Sequence, residues 1–105
     1  MQTDKIMSVL VVASMFVGGQ AIAVDMPAVA KKNNCTACHA IDKKVVGPSW
    51  VDVAKKYKGD AKALALLETK IKKGGAGVWG AMPMPASPKL SDADATELAK
   101  FVLAL

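Results

Sequence analysis

The chain's two cysteines and its one histidine stand together, in Cys35-Thr36-Ala37-Cys38-His39. Two thiols and an imidazole at this spacing suit the covalent capture of a porphyrin. The thiols can add to the two vinyl groups and form thioethers, and two intervening residues let both sulfurs reach the same edge of the ring. The next residue, His39, then lies under the metal, where an imidazole nitrogen can bind iron. C-x-x-C-H is accordingly the attachment signature of c-type haem. Other chemistries fit less well. A zinc site asks for four ligands drawn largely from Cys and His, and only these three are available. A redox dithiol of the thioredoxin kind asks for a βαβ context, which the pattern below lacks. A disulfide between Cys35 and Cys38 would be sterically tight and would leave His39 unexplained.

His39 is the only histidine, so a second strong iron ligand has to come from another residue type. A methionine thioether is the natural candidate. Met26 precedes the haem motif and reads as packing or surface. Met82 and Met84 lie in Ala81-Met82-Pro83-Met84-Pro85. Each precedes a proline, which favours extended backbone, and the prolines on both sides of Met84 stiffen it. One of the two is expected to bind iron and the other to fill core space. Spacing does not choose between them.

These residues need helices to hold them. Pro27 suits a first helical turn, and Pro27 to Asn33 reads as a short helix ended by Asn33-Asn34, since Asn tolerates left-handed backbone. Ile41 to Gly47 reads as loop, and Gly47-Pro48-Ser49 as a turn and helix start. Trp50, Val53, Ala54 and Tyr57 recur at helical spacing, and Gly59 stops that run. Asp60 is the expected N-cap of a helix from Ala61 to Lys73, with Leu64, Leu67 and Ile71 on one face. Lys70, Lys72 and Lys73 complement its dipole, and Gly74-Gly75 ends it. Gly74 to Ser87 is rich in Gly and Pro and is expected to be an ordered, irregular loop. Ser91 or Asp92 caps a last helix running to Leu105, with Ala95, Leu98, Val102 and Leu105 as its stripe, widened by Phe101. No strand pattern competes, so the class is all-α.

The 105 residues suggest one domain, preceded by something else. Residues 1–23 have a short polar start, an apolar run (Ile6 to Val17), a Gly18-Gly19-Gln20 break and a small-x-small site at Ala21-Ile22-Ala23. That is the plan of a secretory signal peptide, with an uncleaved anchor as the alternative. The run is too short for an ordinary membrane span of roughly 20 residues. The expected organisation is a signal peptide over 1–23 and a haem domain over 24–105. The domain has few large apolar side chains, so bound haem would supply bulk the core lacks. The formal charge is +5, and all fourteen basic residues are lysines. Without arginine or a basic recognition element, nucleic acid is not an expected partner. A lysine-rich surface suits weak, steered encounters with acidic proteins.

Cys35 to His39, Gly47-Pro48, Gly77-Val78-Trp79-Gly80, Pro83-Met84-Pro85 and the closing Leu98-Ala99-Lys100-Phe101-Val102-Leu103 together resemble the short bacterial class I cytochromes c, the cytochrome c-551/c8 type. The resemblance spans essentially all of 24–105. It implies the class I cytochrome c fold, four to five short helices wrapped around one covalently attached haem. It also implies His39 and Met84 as axial ligands, with Met82 left to apolar packing. The Pro48 carbonyl would accept a hydrogen bond from the His39 ring, and Trp79 and Lys70 would lie near a haem propionate. Three positions depart from the family. Asn34 replaces a glycine, Ala30 replaces an aromatic, so that its crossing should pack more loosely against Phe101, and Ser87 replaces an asparagine near the ligand.

The function implied is that of a periplasmic one-electron carrier, not an enzyme. Its partners would be redox proteins with acidic docking surfaces, such as nitrite reductase, a terminal oxidase or a cytochrome bc1-type complex. Lys31, Lys43, Lys44 and Lys72 are the lysines expected to steer it, as a monomer with no stable membrane insertion after cleavage. The alternatives are a haem peroxidase, a gas-binding protein with a displaceable sixth ligand, and a cytochrome subunit fixed by its N-terminus.

Overall fold

The computed structural model describes residues 24–105, so the signal-peptide expectation over 1–23 lies outside the described residues. Four helices follow one another: α1 (Ala28–Lys32), α2 (Trp50–Lys56), α3 (Ala63–Lys73) and α4 (Asp92–Leu103). A single 3-10 turn, Cys35–Ala37, lies between α1 and α2. Among the described residues there is no extended strand, only isolated bridges at His39–Lys44 and Gly75–Met84.

Local chemistry accounts for most of the boundaries. Pro27 occupies the position before α1, and Asn34 takes the left-handed conformation (φ 59°) that turns the chain into the 3-10 turn. Asn33 donates to the Val29 carbonyl at 2.7 Å, satisfying a helix-end acceptor. Ser49 caps α2 by accepting the Asp52 amide at 3.1 Å, and Ser91 caps α4 by accepting the Asp94 amide at 3.1 Å. Asp60 does not cap α3. Its carboxylate accepts the Lys62 amide at 2.8 Å and stabilises a turn, so the helix begins at Ala63 rather than Ala61. At the other end α4 stops at Leu103, and Leu105 is 36% exposed rather than part of the buried stripe.

Helix α4 is the axis of the packing, and α1, α2 and α3 all lie against it. At five residues α1 is too short to be stable alone and is held by burial. Ala30 and, on α4, Ala99 are both completely buried. Phe101 packs edge-on against Trp50 of α2, ring centroids 5.8 Å apart. Across α3 and α4, the Thr96 hydroxyl donates to Glu68 at 2.9 Å and Lys72 pairs with Asp92. Lys72, one of the lysines expected to steer partners, is thus also paired with Asp92 at the surface. Met26 is partly buried and packs against the core cluster, in keeping with the packing role expected of it.

Leu98 is the one large side chain that is almost wholly buried. Leu98→Ala should cost about 2–5 kcal/mol, measured by denaturant unfolding. Leu66→Ala, at a position 38% exposed on α3, should change stability by no more than about 0.5 kcal/mol.

Candidate functional site

The haem motif follows directly from the end of α1. Its backbone is bracketed by hydrogen bonds that local sequence alone would not supply. The Cys38 and His39 amides both return to the Cys35 carbonyl, at 3.2 and 2.9 Å, closing the 3-10 turn. The Cys38 carbonyl accepts the Gly47 amide at 2.8 Å and the Val46 amide at 3.2 Å. Two residues on, Ala40 and Ile41 accept the first amides of α2, from Trp50 and Val51 at 3.0 and 2.9 Å. The loop 41–47 is thus folded back on the motif, and α2 is docked beside it.

The His39 ring is fixed on two sides. Its Nδ1 lies 2.8 Å from the Pro48 carbonyl oxygen. A carbonyl can only accept, so the proton sits on Nδ1 and the lone pair on Nε2. The ring also rests on Gly47, where a Cβ would stand 2.6 Å from Cε1 and 3.0 Å from Nδ1. No side chain fits there without displacing the imidazole. Trp50 lies on another side of the ring, with centroids 6.0 Å apart.

The ring and both cysteines line a cavity of about 480 Å³, within the range of about 300–1,000 Å³ of ligand cavities. Its walls come from α2, α3, α4 and the loop Gly74–Ser87. Pro48, Lys70, Trp79 and Met84 line it as well. Val46, Val78, Trp79 and Met82 are large apolar side chains left 43–69% exposed, and all four also line this cavity. They form one contiguous apolar surface on this cavity, suited to an apolar group such as a porphyrin, rather than four unrelated surface residues. Neither thiol is in a disulfide. Burial pushes the Cys35 thiol up from its ordinary pKa, with a backbone hydrogen bond opposing it in part.

The two candidate methionines differ sharply. Met82 is 69% exposed. Met84 is half-buried, and its backbone is paired with Gly75 in both directions: Met84 donates at 2.8 Å and accepts at 3.1 Å. Trp79 lies at the tip of a tight turn closed by the Gly77 amide to the Gly80 carbonyl at 2.9 Å. The Lys56 ammonium sits 5.6 Å from the centroid of its ring and 5.9 Å from that of Tyr57, within cation–π range. Lys56 is a neighbour of Trp79 that sequence reasoning did not single out, and Gly47 and Trp50 were named there without a role beside the imidazole. The available signals were the glycine ahead of Pro48 and the aromatic directly after Ser49.

The protein-family model described as cytochrome c matches residues 23–105. The chain belongs to the cytochrome c family. Over 76 residues it is 53% identical to cytochrome c-552 of Nitrosomonas europaea, covering 72% of this chain and 74% of that one. Over 103 residues it is 45% identical to cytochrome c-551 of Pseudomonas aeruginosa, covering 98% and 97%. The crystal structure of wild-type Nitrosomonas europaea cytochrome c552 superposes with a TM-score of 0.70 at 51% identity, over 72% of this chain and 94% of that one. The fold is therefore that of the short bacterial class I cytochromes c. The C-x-x-C-H segment, with both thiols and the imidazole on one apolar cavity, fits one covalently bound haem c. As a cytochrome c, the protein is a monohaem electron carrier whose partners are other redox proteins.

Cys35→Ala combined with Cys38→Ala should abolish covalent haem. Haem staining of a denaturing gel is expected to show no band for the double variant and a strong one for the wild type.

Proposed function

We propose that His39 and Met84 are the two axial ligands and that the protein carries single electrons between periplasmic redox partners. The observation that carries this reading is the pairing of a fixed imidazole with a fixed thioether residue on one cavity. Hydrogen bonding of His39 Nδ1 to Pro48 leaves Nε2 as the metal-binding nitrogen and raises its basicity. Met84 is held to Gly75 by two backbone bonds, and Met82 has no such pairing among the described residues. When bound, the haem supplies a one-electron change at iron, and a Met/His ligand pair raises its potential. The residues of the chain provide the rest. Cys35 and Cys38 tether the group, Trp50, Leu98 and Val102 keep water from its buried side, and rigid ligand segments limit reorganisation. Trp79 and Lys70, both on the cavity wall, are proposed to hold a propionate.

The same reading includes export. Residues 1–23 are proposed to be a signal peptide cleaved after Ala23, releasing 24–105 into the periplasm as a monomer. The pattern of an apolar run followed by Ala21-Ile22-Ala23 supports it. So does the chemistry of c-type haem, which is attached outside the bacterial cytoplasm. No helix among the described residues is long and apolar enough to cross a membrane. Lys31, Lys43 and Lys44 are exposed and flank the motif. They suit transient docking on acidic surfaces, with nitrite reductase, a terminal oxidase or a cytochrome bc1-type complex as the proposed partner classes.

Met84→Ala should remove the weak near-infrared charge-transfer band of the oxidised protein, open the sixth site to cyanide and lower the reduction potential. Met82→Leu should leave all three nearly unchanged, since it exchanges side chains of similar volume. Loss of the band in Met82→Leu but not in Met84→Ala would move the ligand two residues back. A wild-type iron that is high-spin and binds cyanide freely would replace the carrier reading with a ligand-binding one.

A further inference from the structure

The end of α3 and the methionine loop form a short antiparallel pairing that nothing in the motif spacing requires. Gly75 and Met84 exchange two backbone hydrogen bonds, and the Ser87 amide donates to the Lys72 carbonyl at 3.1 Å. The two contacts, one from the last turn of α3 and one just beyond it, bracket Gly74 and bring it against the backbone of Pro85. Gly74 itself lies at φ 69°, ψ −163°, a region essentially restricted to glycine. A Cβ there would stand 2.3 Å from the Met84 carbonyl oxygen and 2.9 Å from both the Pro85 carbonyl carbon and the Ala86 nitrogen. All three are backbone atoms, so no side-chain rotation relieves the clash.

We infer that Gly74 is a positioning residue, whose lack of a side chain lets the methionine loop close on the end of α3 and so present Met84 to the iron. The inference rests on the proposal that Met84 is the sixth ligand. A slip of two residues would keep the same side-chain faces while exchanging Met84 for Met82. It would also set Pro85 opposite Lys72 in place of Ser87, and proline has no amide hydrogen to donate. The slipped register therefore loses a hydrogen bond that the observed one makes. Gly74 permits the close approach on which the observed register depends.

Gly74→Ala in the haem-loaded protein should weaken or remove the charge-transfer band of Met–iron(III) ligation. Imidazole should bind the oxidised protein about tenfold more tightly, because its apparent affinity rises with the fraction of open sixth sites. Covalent haem content should not change. A folded Gly74→Ala protein with an unaltered band and unaltered imidazole affinity would overturn the inference while leaving Met84 as the ligand. A wild-type band that persists in Met84→Ala would instead remove the reading beneath it. A second measurement needs no Gly74 variant. Amide hydrogen exchange at Gly75, residue 84 and Ser87 should be slow in wild type and remain slow in haem-loaded Met84→Ala, since the protein sets the register. Loss of that protection in Met84→Ala would mean that the iron bond holds the loop, and would overturn the inference.

Discussion

The structure depends on an apolar space that its own side chains do not fill. Among the described residues, five of the ten buried hydrophobic ones are alanines, and Leu98 is the largest side chain that is fully buried. A chain of this size has little surface to remove from water in any case. In its middle lies the cavity of about 480 Å³ that the helices and loops surround. One covalently held haem c supplies the apolar mass for this space, so the cofactor is at once the redox centre and the largest part of the core. Its covalent attachment also suits so small a fold, because a thioether-bound group cannot dissociate when the thin shell around it opens.

With the core given over to a cofactor, the protein's contribution is to fix two loops on either side of it. On one side the 3-10 turn, loop 41–47 and the start of α2 are joined through the Cys38, Ala40 and Ile41 carbonyls. On the other, loop Gly74–Ser87 is tied to the end of α3 through Lys72, Gly74 and Gly75. Neither loop is regular structure, yet both have their backbone groups paired near the residues that matter. Rigidity of this kind suits electron transfer, where ligand movement between oxidation states slows the reaction. The Lys72–Asp92 pair and the Thr96–Glu68 hydrogen bond keep α3 and α4 in register on the outside.

How legible this was in the sequence follows from the range of each interaction. The haem motif, the Ser49 and Ser91 caps and the helical stripes are local patterns, readable from a few adjacent residues. Asp60 misled because an Asp before a helix can serve either the helix or the turn ahead of it, and here the turn at Lys62 takes it. Gly74-Gly75 was readable as a helix terminator, but its approach to Met84 joins segments ten residues apart, and no local pattern encodes that. Lys72 was read as a dipole-complementing and steering lysine, and its pairing with Asp92, twenty residues on, depends on how α4 packs. Ala30 stands where a larger residue was expected, and its complete burial against α4 depends on how closely two helices cross. The choice between Met82 and Met84 was open on spacing and came from resemblance. The backbone pairing of Met84 with Gly75 supports the proposal made for Met84.

The claim that haem completes the core is tested most directly on the chain that lacks it. Far-ultraviolet circular dichroism and thermal melting should be recorded on residues 24–105 with no haem attached, beside the same chain carrying haem. The haem-free chain should be largely unfolded and melt without a cooperative transition, while the haem-loaded chain should be helical and melt sharply. Native-like helicity with a cooperative melt in the haem-free chain would contradict the account, because the protein's own side chains would then suffice to hold the fold.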